Sequence, residues 1–517
     1  MRPKDWFGID LNLFSKIKTT FMKVTFKMHA NAYTLLLCLY ISLLFTQTSC
    51  HHPIAKSKQW RDYIAISKDH HPTTDSSQQV VVWRTPNSDP TYLNTWLDSI
   101  YRHCGPFHIT LFCGSCDSSL MLLTGNGIRT FIQGNGGGSG GGTTCQTNCP
   151  PGGGGDTIYW GVNYPVEMAD TLDYIPDTTK KQTFVSKILT QSPVIAGVFD
   201  TGVDTLDLSA VMYKNPVPTC LDLNANNGWD FPKENNNVQD DYNLPIGHGK
   251  NVARLIAEQV NAISQNPVKI LPLKTHSWKG ESDLFSILCG FAYAKERGAQ
   301  IINASFGYYA LKRPPVGGVP STANDNDAML LKQYIKYYLT NNNILLIAAA
   351  GNKNMKNNDA AEKALYTNAG LPVPADLRNL DEVYFYPASL AADPDLPNVI
   401  AVTTIDDQTN IVSPNQNFSH NVVDIGVNNN VNTDADLWFR NPIYTGHLVR
   451  GTSYAAPIVA GIICGNYSRI QQHLSDNSLA FTKQNILRFL LTNPSTGHVN
   501  TVLSNKIKTG EMIDQRR

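Results

Sequence analysis

VIAGVFDTG, residues 194–202, is six apolar residues followed by an acid, a hydroxyl residue and a glycine. An unbroken apolar run this short predicts a strand buried on both faces. Asp200 then stands where the strand leaves the sheet. The same grammar recurs downstream. KILPL (269–273), IINASF (301–306), ILLIAAA (344–350) and NVIAVTTI (398–405) all predict strands. Helical patterns lie between them. One starts near His248 and runs through VARLIAEQV. In another, Leu284, Ile287, Leu288 and Phe291 trace one face, and Gly298 supplies the stop. A third covers 326–340. Strands alternating with helices predict an α/β fold with a mostly parallel sheet covered on both sides, in three layers. Ligands of such sheets sit beyond the carboxyl ends of the strands.

Four polar groups occupy those addresses. Asp200 ends its strand. His248 opens a helix inside GHGKNVA. Asn352 follows the strand in AAAGN. Ser453 opens the helix of GTSYAAPIVAG (451–461). A serine hydroxyl is a poor nucleophile until a base takes its proton. His248 suits that task near neutral pH. Asp200 suits the task of holding its tautomer and stabilising the imidazolium. Asn352 and the Ser453 backbone N–H, at a helix N-terminus, suit a developing oxyanion. Gly451 removes bulk where substrate approaches, and Pro457 is expected near the first helical turn, where it is tolerated. Singly, each residue reads as a turn, a helix start or a cap. Their common order and addresses argue for a site.

In that order the motifs resemble those of the subtilisin-like serine proteases, the subtilases of peptidase family S8. FDTGVD resembles the family's aspartate motif, GHGKNVA its histidine motif, AAAGN its oxyanion motif and GTSYAAPIVAG its serine motif. YPASL, NVIAVTTID and FSHNVVDIG resemble further family segments. The resemblance runs in pieces from Val194 to Arg469. It implies a serine endopeptidase with Asp200, His248 and Ser453 as triad and Asn352 as oxyanion residue. It also implies that Ser305, Phe306 and Gly307 bind peptide backbone as a sheet edge, with the loop Ser277–Gly280 as the weaker counterpart. No cofactor is implied for catalysis; structural calcium is allowed, at no locatable site. Lys250 and Arg254 depart from the pattern. Lys250 either places a charge beside the base or points to solvent, and it alone supports the alternative of a catalytically impaired subtilase-like binding lipoprotein. A lipase is disfavoured, because Gly451–Ala455 does not form a G-x-S-x-G elbow.

The rest of the chain is organised around this domain. Residues 1–50 read as a signal peptide: Lys23 and Lys27 precede the apolar run 32–45, too short to span a membrane. Thr48-Ser49-Cys50 resembles a bacterial lipoprotein signal, with Cys50 as the lipidated residue. The expected location is therefore exported, as a cell-envelope lipoprotein or secreted. Residues 51–79 read as a polar tether. Residues 80–133 read as a small α+β unit, either a propeptide or an accessory domain. The strand candidates there are VVVW, FHITLF, LMLLT and IRTFI, with a helix through Leu93–Ile100. Residues 134–155 are a Gly-rich linker, where cleavage would separate enzyme from anchor if the unit is removable. The catalytic domain is assigned 156–517.

Of 517 residues, 42% are hydrophobic and 16% charged, an ordinary globular composition. Lys+Arg and Asp+Glu are both 42, so no basic face argues for nucleic acid. A monomer acting on protein or peptide substrates is expected, attached to membrane by its lipid. Cys113/Cys116 and Cys145/Cys149 are expected as disulfides or free thiols rather than metal ligands. Cys289 and Cys464, in apolar surroundings, are expected as buried thiols.

Overall fold

The seven main parallel strands alternate their side chains between two cores, and that alternation builds the layers. In order along the sheet they are Met512–Ile513, Ile425–Asn428, Val399–Asp406, Leu345–Ala349, Ile301–Ala304, Val194–Asp200 and Val268–Lys274, with Trp229–Asp230 added in parallel at the edge. Val198 faces one core and Phe199 the other; Leu345, Ile347 and Ala349 oppose Leu346 and Ala348. A strand with both faces covered has no polar side to show, which is why these segments are unbroken apolar runs. This computed structural model describes residues 65–67, 79–85, 97, 107–110, 116–117, 119–125, 158–163, 165–168, 173–174, 181–214, 227–242, 247–310, 326–353, 359–368, 370–406, 411–412, 415–428, 431–433, 436–492, 498–499, 506–509 and 511–513. Cys50, the Gly-rich stretch and IRTFI lie outside the described residues, as does all of the 93–100 helix except Leu97; of the stretch 51–79 read as a tether only 65–67 and 79 are described, and these are strand residues, a departure from the expected tether.

We label the strands used below β1 (Ala65–Ser67), β2 (Gln79–Arg84), β3 (His108–Thr110), β4 (Leu120–Thr124), β5 (Ile158–Val162), β6 (Pro165–Met168), β7 (Val194–Asp200), β8 (Val268–Lys274), β9 (Glu281–Asp283), β10 (Ile301–Ala304), β11 (Phe306–Ala310), β12 (Leu345–Ala349) and β13 (Tyr384–Tyr386). The helices are α1 (His248–Ile263), α2 (Leu284–Glu296), α3 (Asn326–Tyr338) and α4 (Thr452–Gly465). Helices α1 and α4 cover one face of the sheet, and α2 and α3 the other. Every residue of α4 is buried, as its small and apolar composition all round the helix requires.

The segment 80–133 does not stand apart. Its three described strands, β2, β3 and β4, join a five-stranded sheet in the order β1-β3-β4-β2-β5, in which β1 comes from the stretch read as a tether and β5 from beyond the Gly-rich stretch. Trp83 stacks on Tyr159 and meets Tyr334 of α3 edge-on, with ring centroids at 5.6 and 5.2 Å. The Tyr334 hydroxyl donates to Asp117 Oδ2 at 2.9 Å. Val81, Leu120 and Leu122 join the same core as α2 and α3. Asn163, which links β5 to β6, accepts from the Phe285 N–H at the start of α2 at 3.0 Å.

Candidate active site

Asp200 is at the last position of β7 and His248 at the first of α1, and the packing of these two ends brings them together. His248 Nδ1 lies 2.8 and 3.0 Å from the Asp200 carboxylate oxygens, with both side chains fully buried. A carboxylate accepts only, so Nδ1 carries the proton and Nε2 is the basic nitrogen. Asp200 Oδ1 also accepts from the Thr201 N–H at 2.8 Å. The imidazole ring lies 5.1 Å from that of Tyr454, the neighbour of Ser453. Ser453 is fully buried, and its hydroxyl has no hydrogen-bond partner among the described residues.

The helix bearing Ser453 is set by three local features. Gly451 precedes it at φ 124°, a backbone conformation that favours glycine. A Cβ at Gly451 would also fall 2.8 Å from Asn352 Nδ2. Asn352 Oδ1 accepts from the Thr452 N–H at 2.8 Å, and the Thr452 hydroxyl accepts from the Gly351 N–H at 2.9 Å. Pinning the amide oxygen to the backbone beside Ser453 turns the amide nitrogen toward Gly451. Pro457 is the third feature, and it corrects an expectation: it sits at the sixth helical residue, past the first turn. A proline lacks the N–H that would bond the carbonyl four residues back, here that of Ser453. The Ser305 hydroxyl takes that carbonyl instead, at 2.7 Å, and itself accepts from Asn303 Nδ2 at 2.8 Å.

Ser305 lies between β10 and β11, so the six-residue run read as one strand is two, bent at the serine. The strand that pairs with Phe306 and Gly307 is the chain's own β6, in antiparallel register with Met168 opposite Phe306 and Glu167 opposite Gly307. The other edge of β6 pairs antiparallel with β9: Glu167 with Glu281, Val166 with Ser282 and Pro165 with Asp283. β6 is thus the inner strand of a small sheet, β9-β6-β11-β13. The loop Ser277–Gly280 is a turn closed by the Gly280 N–H to Ser277 O bond and does not itself form the edge; β9, which follows it, does. Sequence reading missed β9 because Glu-Ser-Asp carries no strand propensity.

The departures at Lys250 and Arg254 have local explanations. The Lys250 side chain is buried rather than solvent-directed, its ammonium 5.8 Å from the Tyr444 ring centroid. Burial lowers its pKa, opposed by the charges of Asp240 and Asp204. Arg254 bonds Asp207 Oδ2 at 2.6 Å and Glu258 Oε1 at 2.8 Å and lies over the Phe184 ring, so it anchors the long 206–245 segment. His276, just beyond β8, is a second buried histidine. Its N–H donates to Asp200 O at 3.2 Å, its ring is 5.3 Å from Phe306, and burial pushes its pKa down to about 4. Cys289 is disulfide-bonded, not a free thiol as its apolar setting suggested, and so is Cys116. A half-cystine buries as readily as a thiol, so apolar context does not separate them. Cys464 is free and buried. Among the described residues, no group of three or more His, Cys, Asp or Glu is arranged to hold a metal, and no helix is long and apolar enough to cross a membrane.

Residues 191–505 match the subtilase family, peptidase S8, and the chain belongs to it. It is 36% identical over 152 residues to a cell wall-associated protease of Bacillus subtilis (strain 168), covering 28% of this chain and 15% of that protein. Among solved structures it is similar to the epidermin leader peptide processing serine protease of Staphylococcus aureus. The TM-score is 0.47 at 16% identity, over 84% of this chain and 96% of that one. It is also similar to the nisin leader peptidase of Lactococcus lactis, with TM-score 0.37 at 19% identity, over 62% and 86%.

Proposed function

We propose that this chain is an exported serine endopeptidase. Ser453 Oγ attacks the scissile carbonyl while His248 Nε2 takes its proton, with Asp200 holding the imidazole through Nδ1. The oxyanion is met by the Ser453 N–H and the Asn352 side-chain amide. The tetrahedral intermediate collapses to an acyl-enzyme as His248 returns the proton to the leaving amine, and water then repeats the sequence. No cofactor enters these steps. Export follows from the signal-like segment and from the relative named as cell wall-associated; lipid attachment through Cys50 belongs to the same reading.

One observation carries it. The cleft between β9 and β11 holds an extended peptide, bonded as a strand along both edges. That is how a sheet edge recognises a peptide by its main chain. At Met168 the antiparallel pairing has reached Phe306, the neighbour of Ser305, whose hydroxyl donates to Ser453 O. A lipase has no use for a cleft that reads main chain; a catalytically impaired binding subtilase would keep it, and labelling of Ser453 separates that reading from the protease. Because the strand belongs to the chain, this form is self-occluded, and the first bond cut lies shortly after Met168. A cut within 134–155 would leave β6 in place, so it would not open the site.

The test is mass spectrometry of wild type and Ser453→Ala, with a fluorophosphonate probe and casein turnover. Wild type is expected to yield a new N-terminus shortly after Met168, to label at Ser453 and to cut casein. Ser453→Ala is expected to stay uncut and, once cut at the same bond by an added protease that is then removed, to turn over casein about 10³–10⁶-fold more slowly than wild type, the scale on which subtilisins slow when the nucleophile is removed. Substantial proteolysis by Ser453→Ala refutes the assignment.

A further inference from the structure

We propose that Asp240 is a positioning residue that locks the strand end bearing Asp200 to the helix bearing His248. The inference rests on the proposed function and concerns a residue no motif marks.

Helix α1 cannot cap itself. Its N-cap is Gly247, which has no side chain to offer, yet the first-turn N–H groups need acceptors. Both acceptors come from other segments. The Gly249 N–H donates to Thr201 Oγ1 at 3.1 Å, and the Lys250 N–H donates to Asp240 Oδ2 at 2.9 Å. Thr201 is the residue after Asp200. Asp240 comes from the long segment before the helix and is 3% exposed. Its other oxygen, Oδ1, accepts from the Thr201 hydroxyl at 2.9 Å and from the Tyr242 N–H at 3.0 Å. Its backbone is bonded in as well, the Asp240 N–H to Val203 O at 3.1 Å. A single carboxylate therefore touches the β7 end through Thr201 and the α1 start through Lys250. An acid at a helix N-terminus is also favoured by the helix dipole.

Thr201 makes the link specific. Its hydroxyl has one proton and two acid neighbours, Asp240 Oδ1 at 2.9 Å and Asp200 Oδ1 at 3.2 Å. The shorter bond directs the proton to Asp240. Asp200 is then left to the Thr201 N–H and to His248 Nδ1, so its charge stays on the imidazole. The charged groups that face Asp240 are Asp200 at the β7 end and Lys250 on α1; burial, with the Asp200 charge, raises its pKa, against the bonds it accepts from the Lys250 and Tyr242 N–H groups. The titratable groups that face His248 are Asp200, Tyr454, Tyr242, whose ring centroid is 6.5 Å away, and His276 beyond β8. Replacing Asp240 by Asn puts an amide N–H₂ against either the Lys250 or the Tyr242 N–H, and removes a negative charge from the vicinity of His248.

The experiment compares wild type, Asp240→Asn, Thr201→Val and Thr201→Ser, all as cleaved enzyme with active sites counted by fluorophosphonate. Asp240→Asn is expected to lower kcat about 10- to 100-fold with KM within about twofold. It is also expected to move the acid limb of kcat/KM down by about 0.5–1 pH unit, because a nearby anion favours the imidazolium. Thr201→Val should lose kcat in the same range, and Thr201→Ser, which keeps the hydroxyl, should restore it. Titrated Asp240→Asn with wild-type kcat and an unmoved limb overturns the role, as does a loss confined to melting temperature. If Asp240→Asn does not fold, equal kcat in Thr201→Val and Thr201→Ser overturns it. Wild type that never labels sinks the protease reading and this role together, whereas labelled wild type beside an unaltered Asp240→Asn sinks only the role.

Discussion

Gly249→Ala tests whether the fit between β7 and α1 sets the rate. A Cβ at Gly249 would lie 2.0 Å from Gly202 O and 2.9 Å from both Asp200 Cβ and Asp200 Oδ1. Ordinary contact begins at 3.4 Å, so relief of the first clash needs 3.4 − 2.0 = 1.4 Å of separation. The obstacle is a backbone oxygen, which cannot rotate aside as a side chain would. The helix start must back away, taking His248 with it. An Asp200–His248 bond now at 2.8 Å would open toward 2.8 + 1.4 = 4.2 Å, beyond hydrogen-bond reach. Misplacement of a reacting group by about 1 Å costs on the order of 10²-fold, and full loss of tautomer control about 10⁴-fold. The expected kcat is therefore about 10²–10⁴-fold below wild type, with about 1–3 kcal/mol of stability lost to overpacking. The assay is kcat on a peptide substrate per fluorophosphonate-titrated site, beside a melting curve to show that the fold survives. A folded Gly249→Ala enzyme within about threefold of wild-type kcat would refute the reasoning.

His276, with its pKa near 4 against an ordinary 6.5, makes stability depend on acid. Between those values the unfolded chain binds a proton that the folded one refuses, so stability falls as pH drops from about 6.5 to 4 and changes no further below that. The full loss is about 3 kcal/mol at 1.36 kcal/mol per unit; urea unfolding of Ser453→Ala across that range should show it, and His276→Leu should flatten it. An equally steep dependence in His276→Leu would point to other groups. Lys483 Nζ bonds Asp424 Oδ1 at 2.9 Å, with both side chains buried. Lys483→Met leaves that carboxylate without its cation and should cost about 3–5 kcal/mol, most of it regained when Asp424 is also made apolar; a melting temperature unchanged in the single variant contradicts this.

Much of the fold and the site was legible because the deciding signals are local. A doubly buried strand announces itself as an apolar run, and the polar residue beyond it follows within two positions, as with Phe199–Asp200 and Ala350–Asn352. Helix starts are equally local, so His248 and Ser453 could be placed before any contact was known. The connections between these points were not legible. Asp240 reaches Thr201 and Lys250 from a loop without periodicity. Pro457 could be read as a tolerated proline, but not as the reason Ser453 O is available to Ser305, since Ser305 lies 148 positions away. The split of β10 from β11 was hidden for the same cause: a serine inside an apolar run looks like a strand residue until its hydroxyl has somewhere to go.

β6 was the least legible element, and physics explains both its invisibility and its importance. Pro165-Val166-Glu167-Met168 opens with a proline and is only four residues long, so nothing intrinsic makes it a strand. It is extended because two edges, β9 and β11, accept its backbone, and because Asn163 just before it is bonded to the start of α2. Strand identity here is imposed by the cleft. A cleft that can impose it on so indifferent a tetrapeptide reads main chain first, and would do the same for an incoming peptide. The tethered strand competes at an effective concentration on the order of millimolar. A peptide in solution at micromolar levels therefore loses to it in the competition for the edges of β9 and β11. Cutting the chain after Met168 changes that balance at one stroke. The strand's hold then depends on the docking of the N-terminal sheet through Trp83, Asp117 and Asn163 rather than on covalent connection to β7. Weakening that docking, not altering the triad, is consequently what should hasten the appearance of activity in trans after the cut.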